Sequence, residues 1–114
     1  MEINEYQKLA MRTLNPEIEK KELILNASMG LCGESGEVID LVKKHLFQGH
    51  DLDEEVLIKE LGDVAWYLAE AATALNVDIS EILEKNIKKL ENRFPDGFNS
   101  NRSINRGEWY VYNK

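Results

Sequence analysis

The stretch GLCGESGEVIDLVKK, residues 30–44, and the stretch KELGDVAWYLAEAA, residues 59–72, decide how this chain folds. Neither contains proline, and both set apolar residues three and four apart, the spacing of one face of an α-helix. At 100° per residue, Glu34 and Glu37 fall on the stripe of Leu23, Ala27, Gly30 and Leu41. By the same count Glu60 and Asp63 line up with Val56, Val64, Tyr67 and Ala71. Two helices thus carry paired carboxylates on the face expected to turn inward. Burying an unpaired carboxylate costs several kcal/mol or forces it to take up a proton, so two helices breaking the rule together need a common cause.

Outward from these stretches, the only prolines are Pro16 and Pro95, and the segment between them reads as helices in series. A first helix is expected over about residues 4–14, with Asn4 as N-cap and Tyr6, Leu9, Ala10 and Leu14 as its inner face. A second should span about 21–46 and end near Gly49, and a third about 53–75, with an N-cap in Asp51-Leu52-Asp53-Glu54 and an end at Asn76. A fourth begins at Asp78, with Glu81 placed as in a capping box, and runs to about Arg93 before Pro95. From Phe94 on, FPDGFNSNRSINRGEWYVYNK sets turn formers before an aromatic run of Trp109, Tyr110 and Tyr112, which reads as an irregular tail. The expected architecture is all-α: a four-helix bundle with an irregular C-terminal tail, forming a single domain over residues 1–114.

Composition narrows the function. With 43% hydrophobic and 31% charged residues the chain is neither disordered nor a membrane protein. It has no apolar run long enough to span a bilayer, and MEINEYQKLAMR lacks the apolar core of a signal peptide, so a cytoplasmic location is expected. Cys32 is the only cysteine, which excludes an intrachain disulfide and a cysteine-based metal site within one chain. The net charge of −7, without a basic stripe, argues against a nucleic-acid polymer as partner. A small anion is compatible with it, because a divalent cation held by carboxylates reverses the local field.

Two antiparallel helices joined by a short loop would oppose Glu34 and Glu37 to Glu60 and Asp63 across a cleft. Four hard oxygen ligands with open positions suit Mg²⁺ or Mn²⁺. His45 and His50 do not form the Glu-x-x-His pairs of di-iron bundles, which argues against redox chemistry. Gly30, Gly33 and Gly36 each cost the second helix about 1 kcal/mol relative to alanine, so they serve either a close helix approach or room for metal and phosphate. On the fourth helix, Asn86 and Arg93 share the face of Ile79, Ile82, Leu83 and Leu90, with Lys89 at its edge. This trio suits a phosphate ligand, or an ion pair with one of the acids.

Other charged residues have simpler readings. Glu54, Glu55, Glu81, Glu84 and Glu91 read as helix-terminal or solvated acids, and Lys43 and Lys44 as residues suited to a helix C-terminus. Asp40 either supports the metal set from outside or pairs with a lysine. Trp66 more often packs than stacks on a nucleobase.

At these residues the chain resembles a known family. The segments 30–44, 59–72 and NIKKLENRFPDGF, residues 86–98, look like the MazG-like nucleotide pyrophosphohydrolases, whose signature Glu-x-x-Glu then Glu-x-x-Asp reads here as Glu34-Ser-Gly-Glu37 and Glu60-Leu-Gly-Asp63. The resemblance covers roughly residues 23–99. It implies Mg²⁺-dependent hydrolysis of a nucleoside triphosphate, ribo or deoxy, between the α and β phosphates, giving the monophosphate and pyrophosphate. It also implies that the four acids hold the metal and that an acid or the metal activates water. The alternative is a catalytically silent helical interaction module, which would be expected to have lost at least one of the four acids. The third helix is apolar around more of its circumference than one core requires, through Leu61, Ala65, Ile58 and Ala69, so a homo-oligomer, dimer or tetramer, is expected.

Overall fold

A computed structural model describes residues 1–106, and the aromatic run of Trp109, Tyr110 and Tyr112 lies outside the described residues. The described chain is all-helical: α1 (Ile3–Met11), a 3₁₀ turn (Lys20–Glu22), α2 (Leu23–Phe47), α3 (Glu54–Ala74), α4 (Ile79–Arg93) and α5 (Ser100–Ile104). It divides into two compact units, Met1–Ile79 and Ser80 onward.

Helices α2 and α3 form the centre of the first unit. Gly49, at φ 73°, turns the chain after α2, and Asn76, at φ 60°, turns it after α3. Between the two helices, the Asp53 side chain caps α3 by accepting from the amides of Glu55 (3.0 Å) and Val56 (3.3 Å). Asn26 on α2 meets Glu70 on α3, and Gly30 faces Tyr67. Numbers rise on one helix as they fall on the other, which makes the pair antiparallel. A Cβ at Gly30 would overlap the Tyr67 ring, so the missing side chain is the condition for close approach of the helices, whereas Gly33 and Gly36 face open space. The two readings of the glycines therefore separate, with the packing explanation holding for Gly30 alone.

Helix α1 packs on α3 through polar anchors. Gln7 is buried, donates to Thr73 Oγ1 and to the carbonyl of Val77 (3.1 Å each), and accepts from the amide of Ile79 at 2.7 Å. One side chain thus ties Thr73 on α3 to the turn that follows and to the first amide of α4, a donor that a helix terminus leaves unsatisfied. The Trp66 indole donates to Thr13 Oγ1 (2.8 Å) and to the carbonyl of Ala10 (3.1 Å), closing the other end of α1.

Three expectations need correction. Asn4 lies inside α1, because the helix begins at Ile3 with Glu2 in the N-cap position. The inner face of α1 is built on Gln7 and Ala10, while Leu9 is exposed; a hydrogen-bonded glutamine takes the place that hydrophobicity assigns to leucine. The segment read as wholly irregular contains α5, whose first turn is capped by Asn99 accepting from the amide of Arg102 at 3.1 Å.

The outer faces of the helices carry much apolar surface, with Ile39 and Leu46 on α2, Ile58 and Leu61 on α3, and Leu83, Ile87 and Leu90 on α4 all exposed.

The glycines give a direct test of the helix approach. Gly30→Ala should lower stability by about 1–3 kcal/mol through overlap with Tyr67. Gly33→Ala and Gly36→Ala should raise it by up to about 1 kcal/mol each through better helix propensity. Urea unfolding of the three variants checks the sign at each position.

Candidate metal centre

Two turns along α2 from Asn26, and two turns back along α3 from Glu70, the antiparallel register brings carboxylates together. Glu34, Glu60 and Asp63 each offer an oxygen, and these oxygens all lie within 4.8 Å of one another. Glu34 and Glu60 are half-buried and Asp63 is exposed, so the group sits at the solvent edge of the helix pair rather than in a core. Glu37, three residues beyond Glu34, is also exposed and lies outside this group, although its charge acts on Glu34. The inward orientation expected from periodicity therefore holds only in part: each pair contributes one half-buried and one exposed acid.

The electrostatics are those of crowded like charges. Partial desolvation, a hydrogen bond shared with Glu60 and repulsion from Asp63, Glu60 and Glu37 push the Glu34 carboxyl above the usual glutamate range. Tyr6, on α1, is also raised, by burial first and then by the negative charge of Asp63. Helix α1 thus borders the acids, a placement that no local pattern reveals because Tyr6 and Asp63 are far apart in sequence.

Beside the acids lies a cleft of about 370 Å³ lined by Thr13, Glu34, Asp63, Trp66 and Tyr67. The two aromatic rings meet edge to face, with centroids 5.0 Å apart at 80°. Thr13 and Tyr67 were not among the residues singled out from the sequence. Tyr67 carried one signal, its position one turn after Asp63 on the same stripe; Thr13 carried none.

The remaining candidates separate. Asp40 pairs with Lys43 (3.2 Å) and Lys44 (2.9 Å), which holds its carboxyl below the usual aspartate range and raises Lys44. The lysine-pairing reading thus accounts for all three. Asn86, Lys89 and Arg93 belong to the second unit: Asn86 and Lys89 are exposed, and Arg93 is half-buried with its guanidinium 5.8 Å from the centre of the Phe94 ring. Leu83 and Leu90, read as inward-facing companions of that trio, are exposed.

The chain matches the MazG nucleotide pyrophosphohydrolase domain over residues 24–98 and belongs to that family. The Gene 37 protein of Mycobacterium phage L5 is 37% identical to it over 83 residues, which cover 69% of this chain and 73% of the phage protein. No solved structure matches. Among the described residues, no helix is long and apolar enough to cross a membrane.

The raised Glu34 carboxyl predicts how stability depends on pH. Glu34 binds a proton more tightly folded than unfolded, so its contribution weakens the metal-free protein as pH rises from the ordinary glutamate range through its folded pKa. In chelator at neutral pH, Glu34→Gln should therefore melt at or above the wild-type temperature, and its advantage should shrink as the solution is acidified. Melting curves of both proteins across the acid range measure it; a Glu34→Gln protein that melts well below wild type at neutral pH contradicts the repulsion.

Proposed function

We propose that the chain hydrolyses a nucleoside triphosphate to the monophosphate and pyrophosphate, with Mg²⁺ held by Glu34, Glu60 and Asp63 and with Glu37 completing the acid set. The observation that carries this reading is the approach of three carboxylates from two helices within 4.8 Å, in a chain of the pyrophosphohydrolase family. The donor set fits a hard divalent cation: the group contains only carboxylate oxygens, and repulsion that raises Glu34 is relieved when a cation shares them. Mn²⁺ satisfies the same donors. A bound divalent ion supplies charge neutralisation to phosphate oxygens and makes water a better nucleophile at neutral pH.

The chain's own residues have distinct tasks in this reading. Glu34, Glu60 and Asp63 concentrate negative charge at one edge of α2 and α3, which attracts the cation and repels a free polyphosphate that arrives without one. Trp66 and Tyr67 give the adjoining cleft an apolar wall. The indole is oriented by its hydrogen bonds to Thr13 and Ala10, so that wall is held rigid. Asn86, Lys89 and Arg93 engage the substrate, the two cations through its phosphates. The alternative of a silent interaction module has less support, because all four acids remain and three converge.

A homo-oligomer, dimer or tetramer, accompanies this function. Ile58 and Leu61 on α3 are 59% and 51% exposed, and covering the exposed half of such side chains gains about 1 kcal/mol each. A second copy that covers α3 removes that surface from water.

Two measurements test the reading. Glu37→Gln and Asp63→Asn should each abolish pyrophosphate release from a panel of nucleoside triphosphates in Mg²⁺ while leaving helical circular dichroism unchanged, and the wild-type melting temperature should climb with Mg²⁺ concentration. Activity near wild type in both variants removes these acids from the site. Light scattering at micromolar concentration should give a multiple of the monomer mass, and Leu61→Glu should shift it toward the monomer; a monomeric wild type refutes the assembly.

A further inference from the structure

The turn that ends α1 sets a hydroxyl against the cleft. Thr13 lies just beyond Met11, the last residue of α1, and both its amide (3.0 Å) and its hydroxyl (2.8 Å) donate to the carbonyl of Ala10. A threonine hydroxyl has one hydrogen, so that bond leaves Oγ1 to serve as an acceptor. The Trp66 indole uses it in this way, donating at 2.8 Å, and the same N–H reaches the Ala10 carbonyl at 3.1 Å. Three donors therefore share one carbonyl oxygen that has two lone pairs. The shorter of the two indole bonds, the one to Thr13, fixes the ring.

The Thr13 hydroxyl governs the direction of the indole more than the stability of the fold. Without it the indole still has an acceptor, because the Ala10 carbonyl then receives two donors on two lone pairs. No buried donor is stranded, and stability falls only by the net worth of one hydrogen bond. The ring, however, is then drawn toward Ala10 alone. Its edge meets the Tyr67 ring, and Tyr67 in turn covers Gly30, where α2 and α3 approach most closely. Thr13, Trp66 and Tyr67 line the same cleft of about 370 Å³ as Glu34 and Asp63. A hydroxyl 53 residues before Trp66 thus sets the aromatic wall that stands beside the acids.

We propose that Thr13 is a positioning residue for the substrate: acting through Trp66, it holds the cleft wall in the shape that binds the substrate and leaves the chemical step unchanged. Thr13 lies outside residues 24–98, which match the family domain. The proposal rests on the hydrolase reading for the identity of its ligand. A contact made away from the reacting phosphate binds substrate and transition state alike, and such uniform binding is read in KM while kcat stays constant. A hydroxyl that served instead to hold the acids in place would act on kcat and on the metal.

Steady-state pyrophosphate release by the full chain in Mg²⁺ tests it, with Thr13→Val, Thr13→Ser and Ser28→Ala beside the wild type. Thr13→Val keeps the branch at Cβ and removes the hydroxyl, so KM should rise about three- to tenfold, as for the loss of one hydrogen bond, with kcat within about twofold. Thr13→Ser keeps the hydroxyl and should return KM to within about twofold of wild type. Ser28→Ala removes a hydroxyl that bonds the Ile24 carbonyl on α2, outside the cleft lining, and should leave both constants within about twofold. The indole supplies a signature that does not depend on turnover. Trp66 and Trp109 are the only tryptophans, so in a Trp109→Phe background Thr13→Val should shift the Trp66 emission and its access to a quencher, and Thr13→Ser should restore both. The rise in melting temperature with Mg²⁺ should be equal in wild type and Thr13→Val, because the acids are untouched. The proposal is overturned if Thr13→Val leaves KM or the Trp66 emission unchanged, if it lowers kcat in place of raising KM, if Thr13→Ser fails to restore KM, or if Thr13→Val abolishes the stabilisation by Mg²⁺. A wild type that releases no pyrophosphate defeats the hydrolase reading and this proposal together, whereas an active wild type matched by Thr13→Val defeats this proposal alone.

Discussion

A carboxyl group with no exposed surface sets the register on which the site depends. Glu70 is fully buried on α3, and both of its oxygens accept from the Asn26 amide of α2 at 2.9 Å. A buried carboxyl without a partner costs several kcal/mol, so sliding either helix by a turn would strand it. Hydrophobic contacts alone tolerate such a slide better, since one alanine or leucine can replace another at the seam. The same register places Gly30 under the Tyr67 ring and brings Glu34 to Asp63 and Glu60. A polar pair in the interior and a missing side chain one turn away thus align acids that would otherwise repel each other apart.

That alignment stores electrostatic repulsion at the solvent edge, where it is softened by water but still visible in the raised Glu34 carboxyl. The helix pair is anchored at some distance from the acids, by Asn26 and Glu70 and by Gln7 at the end of α3. The hydrogen bonds that position the acids are therefore not the ones a cation would perturb. The N-terminal segment contributes through Tyr6 on α1 and Thr13 just beyond it, and the Trp66 indole ties it to α3 beside the cleft. A segment outside the residues that carry the family resemblance thus lines part of the cleft.

Charge is organised on a larger scale as well. The negative excess belongs to residues 1–79 and the described remainder is positive, so the whole-chain value of −7 is the sum of two segments of opposite sign. Net charge over the whole chain is blind to local groupings of opposite sign, such as the arginines that line one cavity between Asn92 and Arg106.

The sequence by itself determined helices α1 to α4 and the acid pairs. Hydrophobic period, the Asp53 cap and the turn residues Gly49 and Asn76 are local signals, each acting within a few residues, and all are visible in one chain. The pattern Glu34-Ser-Gly-Glu37 with Glu60-Leu-Gly-Asp63 is local in the same sense and carries the family. Tertiary structure decided what depends on residues distant along the chain. It turned the α1 interior from Leu9 to Gln7, because the hydroxyl, carbonyl and amide that Gln7 meets belong to residues 66 or more positions away. It separated Gly30 from Gly33 and Gly36, which look alike on a helix until Tyr67 is placed against only one of them. It also set Glu37 apart from Glu34, Glu60 and Asp63, since helical spacing defines which face a side chain occupies but the partner helix decides which part of that face it meets.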